Sequence, residues 1–185
     1  MPHKTALPAA LLLLFAWHGA AHAIETVSVS VAEGALSFEA PTAWQASPPR
    51  NNLIEREFSV QPPDGSAGSA ARLTVMAAGG SVDANIARWV GQFRDTEGGA
   101  DRSGADVERI EQNGVKFTLV DIAGTYLDGR PFGPKTPREG YRMLAAIAQT
   151  ADEGNYFFKL VGPTEAVSPA KESFREMVLS LQTVE

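Results

Sequence analysis

Few kinds of side chain in this 185-residue chain can do chemistry. There is no cysteine, and the three histidines, His3, His18 and His22, all fall before residue 23. Residues 24–185 therefore lack both imidazole and thiol. That excludes from them Ser-His-Asp and Cys-His catalysis, histidine or thiolate metal sites, CxxC redox exchange and haem attachment. Carboxylate, lysine, tyrosine and serine chemistry is left. A carboxylate-dependent hydrolase of cell-envelope carbohydrate would need at least two of Glu108, Glu111, Asp121, Glu139 and Lys159 to converge in one cleft. Along the chain the acids scatter through loops and edges, with no shared apolar setting to split their pKa values as a glycosidase pair requires. No catalytic residue is assigned on this basis. Asp121 stands apart because it interrupts the apolar run Leu119-Val120-Asp121-Ile122. It is expected to be substantially buried and paired with Arg142 or Lys159, as a structural ion pair rather than an acid catalyst.

Binding chemistry concentrates in residues 127–140, which lack strand or helix periodicity and read as a long loop. Arg130, Lys135 and Arg138 gather positive charge there, and Phe132 offers an aromatic anchor of the sort that dominates interfaces. Pro131, Pro134 and Pro137 limit the entropy lost when such a loop is ordered. Arg130, Phe132, Lys135 and Arg138 are the candidate binding residues, with a solvated connector as the competing reading. Two other stretches invite a ligand. Gly79-Gly80-Ser81 enters a helix after a strand, but it has neither G-x-G-x-x-G nor a P-loop lysine, so helix capping by Ser81 is the simpler reading. Residues 95–106 are rich in glycine and acids, yet lack the spacing of a calcium loop. No metal or cofactor is expected.

These residues need elements to hold them. Val82, Ile86, Trp89, Val90 and Phe93 follow the spacing of a buried helical stripe, with Asn85, Arg88 and Gln92 on its polar flank. Ala170, Phe174, Met177, Val178 and Leu181 repeat that spacing, in a helix expected to start with Ser168 as N-cap and Pro169 as first residue. The two stripes together, closed by Trp44, are expected to make the core. Around them lie strands. Val27, Val29 and Val31 alternate with serines and are expected to pair with residues 36–38 across Glu33-Gly34. Residues 54–60 and 72–78 form two more. Asn113-Gly114 is a type I′ hairpin signal between a charged edge strand, 107–112, and a central strand, 115–126. Residues 141–150 and 156–161 form a last hairpin through Asp152-Glu153-Gly154-Asn155.

The first 23 residues read as an export signal. His3 and Lys4 precede an apolar stretch, residues 6–17, that is too short to span a bilayer, and Ala21-His22-Ala23 is a small-x-small cleavage site. Cleavage after Ala23 would leave 162 residues, the size of a single domain, 24–185. With Lys4 gone, 15 basic residues face 22 acidic ones. Such a chain is a poor general binder of nucleic acid, whose affinity rests on phosphate neutralisation. No later segment is apolar enough to cross a membrane as a helix.

Phe38-x-x-Pro41-x-x-Trp44 after an N-terminal strand, antiparallel strands around one central helix, and a terminal helix ending Phe174-x-x-Met177-x-x-Ser180-Leu181 resemble the PsbP/Mog1-like group. That group includes lumenal accessory proteins of photosystem II, a Ran-binding nuclear protein and many exported bacterial proteins. The resemblance covers most of residues 24–185. It implies an α+β fold, an antiparallel sheet with helices packed against it as an α/β/α sandwich. It also implies a binding or accessory role, with a protein or envelope component as partner, rather than catalysis. No functional residue carries over from it. The alternatives are the histidine-free hydrolase and a small-ligand or lipid carrier, which would need an apolar cavity between sheet and helix.

Overall fold

The computed structural model describes residues 24–63, 68–94, 104–129 and 133–184. Strand β1 (Thr26–Val31) turns through three positive-φ residues, Ala32, Glu33 and Gly34, and pairs antiparallel with β2 (Leu36–Pro41). The short β11 (Gln182–Thr183) joins the other edge of β2, completing a three-stranded sheet. The larger sheet runs β3 (Gln45–Ser47), β4 (Arg56–Val60), β5 (Ala71–Ala77), β10 (Asn155–Pro163), β9 (Thr136–Gln149), β8 (Val115–Asp128). Its far edge is shared by β7 (Ala105–Gln112) and the two-residue β6 (Phe93–Arg94), which pair with successive parts of β8. The pairings are antiparallel, so local hairpins account for much of the topology.

Alternation along the strands gives the large sheet two apolar faces, and each is covered differently. One face carries Leu73, Val75, Phe117, Leu144, Ala146, Phe158 and Leu160. It packs under the small sheet, the short helix α2 (Thr164–Val167) and α3 (Lys171–Leu179). Phe38 of β2 meets Phe158 edge-on at 5.2 Å between ring centroids, which locks the two sheets together. Glu55 ties the same layers with polar contacts, accepting from the Ala32 amide (2.8 Å) and the Tyr156 hydroxyl (2.9 Å). The opposite face carries Val120, Ile122, Met143, Ala145, Ile147 and Phe157 under α1 (Val82–Val90), whose Trp89 sits edge-on to Phe157 at 5.4 Å.

The expected α+β architecture, an antiparallel sheet with helices packed on it, is the observed one. Several local expectations need correction. The two helical stripes do not share a core: they lie on opposite faces of the sheet, and Trp44 packs only on the α3 side. Helix α1 stops at Val90 with Gly91 as its C-cap, so Phe93 belongs to β6 and not to the helix. Asn85, assigned to the polar flank, is buried. Its amide donates to the carbonyls of Gly79 (3.2 Å) and Ser81 (2.9 Å), closing the turn that Gly80 makes at φ +94°. Ser81 caps α1 as expected, its hydroxyl accepting from the Ala84 amide at 3.2 Å. Ser168 does not cap α3. It ends α2, and its hydroxyl accepts from Arg142 at 2.7 Å, while α3 starts at Lys171 without a side-chain cap. The apolar stripe of α3 is buried as read, from Ala170 to Leu181.

Candidate functional site

Helix α1 has nine residues, about 14 Å of length, whereas the 14 residues of β9 extend for about 46 Å. The helix therefore covers one end of its face and leaves the other end to polar side chains. Residues that pair across neighbouring strands stand on the same face, and here they form a connected patch. Glu57 of β4 accepts two hydrogen bonds from Arg72 of β5, at 2.6 and 2.8 Å, and an ion pair from Arg50 at 3.1 Å. The Arg72 bonds hold the Glu57 carboxyl below the usual carboxylate range, despite the opposing effect of its burial. Lys159 of β10 donates to the Gln92 side-chain oxygen at 2.8 Å and lies 5.5 Å above the Tyr126 ring. Burial, with the nearby guanidiniums of Arg88 and Arg72, lowers the Lys159 pKa to about 8. Tyr126 stacks on Tyr141 at 6.0 Å and leans on Phe93 at 5.3 Å. Burial pushes the Tyr126 phenol up, and the charge of Asp128 adds to this.

The residues singled out in 127–140 border this patch. The segment is not one long loop: β8 continues to Asp128 and β9 starts at Thr136, so the two strands pair well into it. Strand β10 ends opposite Tyr141. Beyond that point β8 and β9 run on as a ribbon in which residues 136–140, all exposed, have a neighbouring strand on one side only among the described residues. An extra residue in β9 changes the alternation at its root. Register passes from Gly124↔Tyr141 to Tyr126↔Arg138, two residues along β8 against three along β9, with Gly140 at φ +67°. Arg138 therefore takes the same face as Tyr126, and its guanidinium lies 3.6 Å from Asp128. Lys135 donates to the Gly129 carbonyl at 3.4 Å. Arg130 and Phe132 lie outside the described residues. Next to the open edge is a wide recess of about 620 Å³, bounded by Arg138, Glu139 and Tyr141 on the ribbon and by Ser69 and Glu165 opposite.

Of the carboxylates considered for catalysis only Glu108 and Asp121 come together, on the other side of the sheet; Glu111 and Glu139 line separate recesses. Glu108 and Asp121 both line a cleft of about 210 Å³ beside α3, with Leu119, Leu144 and Phe174 as its apolar part. Each acid is already matched by a cation. Arg142 grips Asp121 with two bonds, 2.8 and 2.5 Å, Lys171 reaches it at 2.9 Å, and Arg175 sits 3.0 Å from Glu108. Burial alone would raise the Asp121 carboxyl, but the bonds from Arg142 and Lys171 outweigh it and hold it below the ordinary carboxylate value. A carboxylate kept ionised in this way is a poor proton donor. Arg142 is the expected partner of Asp121; Lys159 is not, because it stands on the opposite face, and Lys171 takes that place. Among the described residues no three histidine, cysteine, aspartate or glutamate side chains gather as metal ligands would. Most of the acidic stretch 95–106 lies outside the described residues. No helix among the described residues is long and apolar enough to cross a membrane.

No family model matches the chain, and no curated protein matches it. Solved structures do. The solution structure of CyanoP, the cyanobacterial PsbP of Synechocystis sp. PCC 6803, superposes with a TM-score of 0.53 at 13% identity, over 90% of this chain and 96% of that one. The chain has the PsbP/Mog1-like fold. Two looser similarities lie below a TM-score of 0.5. The Ran-binding protein Mog1p of Saccharomyces cerevisiae reaches 0.49 at 9% identity, over 88% of this chain and 97% of its own. A Pseudomonas aeruginosa protein of unknown function, a putative regulator, reaches 0.41 at 14%, over 86% and 98%. At such identities the PsbP-like likeness speaks for architecture alone.

Sequence reasoning found Arg138 and missed Lys159, Tyr126, Tyr141 and Arg72 as a group. These come from four strands, and only the strand order brings them together. One local signal was available: Glu139-Gly140 before an aromatic residue in a strand is where a bulge reverses the alternation.

Proposed function

We propose that this chain is an exported binding or accessory protein that engages a protein or envelope partner through the β8–β9 ribbon. The observation that carries this reading is the ribbon itself. Its β9 edge, residues 136–140, is exposed and has no neighbouring strand among the described residues, which leaves its backbone groups available to a partner. Arg138, Lys135 and Arg130 supply positive charge in an acidic protein, and Phe132 supplies an anchor. The cation-matched Glu108 and Asp121 of the α3-side cleft speak against a hydrolase built on that pair. At about 210 Å³, that cleft is also below the ~300 Å³ at which small-molecule pockets begin, which speaks against a carrier using it.

Replacing Arg130, Phe132, Lys135 and Arg138 together with serine should leave the melting temperature unchanged and abolish partner recovery in a pull-down from envelope extract. Recovery of the same partners in the same amounts would refute the assignment. The export part has its own test. The mass of the exported protein should correspond to a chain beginning at Ile24, and a mature protein retaining Lys4 would overturn it.

A further inference from the structure

The polar end of the α1 face holds more positive charge than its own carboxylates balance. Arg88 reaches it from α1, Gln92 from the turn after α1, and Arg50 and Glu57 from β4 and the segment before it. Arg72 comes from β5, Tyr126 and Asp128 from β8, Arg138 and Tyr141 from β9, and Lys159 from β10. Among the described residues that sets five cations against two carboxylates, Glu57 and Asp128. Among the described residues the only hydrogen-bond partner of the Lys159 ammonium is a neutral amide, although an ammonium carries three N–H groups. Among the described residues Arg72 binds Glu57 through Nε and Nη2, leaving Nη1, and Arg88 uses only Nη2, on Asn85. Lys159, Arg72, Gln92, Tyr126 and Tyr141 all keep partial exposure, so solutes reach the patch.

We propose that this patch is a binding site for a small multiply charged oxyanion, of phosphate or polycarboxylate chemistry, held by Lys159, Arg72 and Arg88 beside the Tyr126–Tyr141 pair. Lys159 and Arg72, both half-buried, gain more from such a ligand than solvated groups do, because less water screens the contact, and the exposed Arg88 adds its charge at the rim. Binding would also raise the lowered pKa of Lys159, since an adjacent anion favours the charged amine. This site does not depend on the ribbon assignment, and a titration with small anions tests it without any protein partner.

Sodium phosphate and, separately, sodium citrate should be titrated into the isotopically labelled chain near neutral pH at constant ionic strength, with chloride as the matched control. The expected result is saturable movement of the Gln92, Tyr126 and Lys159 amide signals, with a dissociation constant of about 1 mM or tighter. Lys159→Met and Arg88→Gln should each weaken it by about tenfold or more, while Lys116→Met, on the exposed start of β8, leaves it unchanged. A response to one anion alone identifies which chemistry the site prefers. No saturable response to either anion by about 20 mM overturns the proposal. An equal response in Lys159→Met, with its amide spectrum showing the native fold, overturns it as well.

Discussion

Lys159 and Asp121 are both ionisable groups within the sheet, and their surroundings drive their pKa values for different reasons. Burial and like charge lower the Lys159 pKa from 10.5 to about 8, so between those values the unfolded chain binds a proton that the folded chain releases. Stability should therefore rise with pH across that window, and the rise should vanish in Lys159→Met. Denaturant melts of both proteins at about pH 7.5 and about pH 9.5 check this, below the range where the tyrosines ionise. Tyr126 and Tyr156 act in the opposite sense above about pH 10, because burial keeps both phenols neutral in the folded state. Asp121 behaves as a carboxylate with a lowered pKa. Its contribution is present above the unfolded value of about 3.8 and is lost as the pH falls through the lower folded value. Arg142→Met leaves the Asp121 charge with Lys171 alone and should cost about 3 kcal/mol at neutral pH, measured by denaturant melts. A loss under about 0.5 kcal/mol would show that the pair is dispensable.

At the scale of elements, α1 is held by the buried Trp89 ring, by the partly buried Val82, Ile86 and Val90, and by a closed turn. Trp89→Ala removes the contact with Phe157 and should cost about 3–5 kcal/mol. Asn85→Ala leaves the Gly79 carbonyl without its side-chain donor and should cost about 1–3 kcal/mol. Arg88→Ala, on the exposed side, should stay within about 0.5 kcal/mol. Equal losses for Trp89→Ala and Arg88→Ala in thermal melts would contradict the face assignment. These elements show why some of the fold was legible and some was not. Asn113-Gly114 was readable because both residues take the positive φ that the hairpin turn demands, 52° and 76°. The α3 stripe was readable because periodicity alone identifies a buried face. The start of α3 was not, because the Ser168 hydroxyl is taken by Arg142, 26 residues away in sequence. The ribbon read as a loop because prolines and glycines mask strand character. Pro137 is tolerated in β9 opposite Leu127, where no strand among the described residues lies on its other side.

For the whole molecule, the organising fact is a single antiparallel sheet covered on one face by a small sheet with α2 and α3, and on the other by a helix too short to span it. That mismatch creates the basic, aromatic patch, and the sheet's longest hairpin continues past it as the ribbon. Composition had already removed histidine and thiol chemistry from residues 24–185, and the ion pairs of Asp121 on the α3 side leave it a poor proton donor. The ribbon is the proposed recognition surface. Its most direct test is a photo-crosslinking residue placed at Glu139, on the ribbon's open edge, and in a second protein at Asp152, in the turn between β9 and β10 at the other end of the same strand. Exposed to envelope extract, the Glu139 probe should yield a discrete crosslinked species that an excess of the unlabelled native chain suppresses, and the Asp152 probe should yield none. Crosslinking from Asp152 with none from Glu139 would place recognition at the opposite end of the sheet and contradict the account.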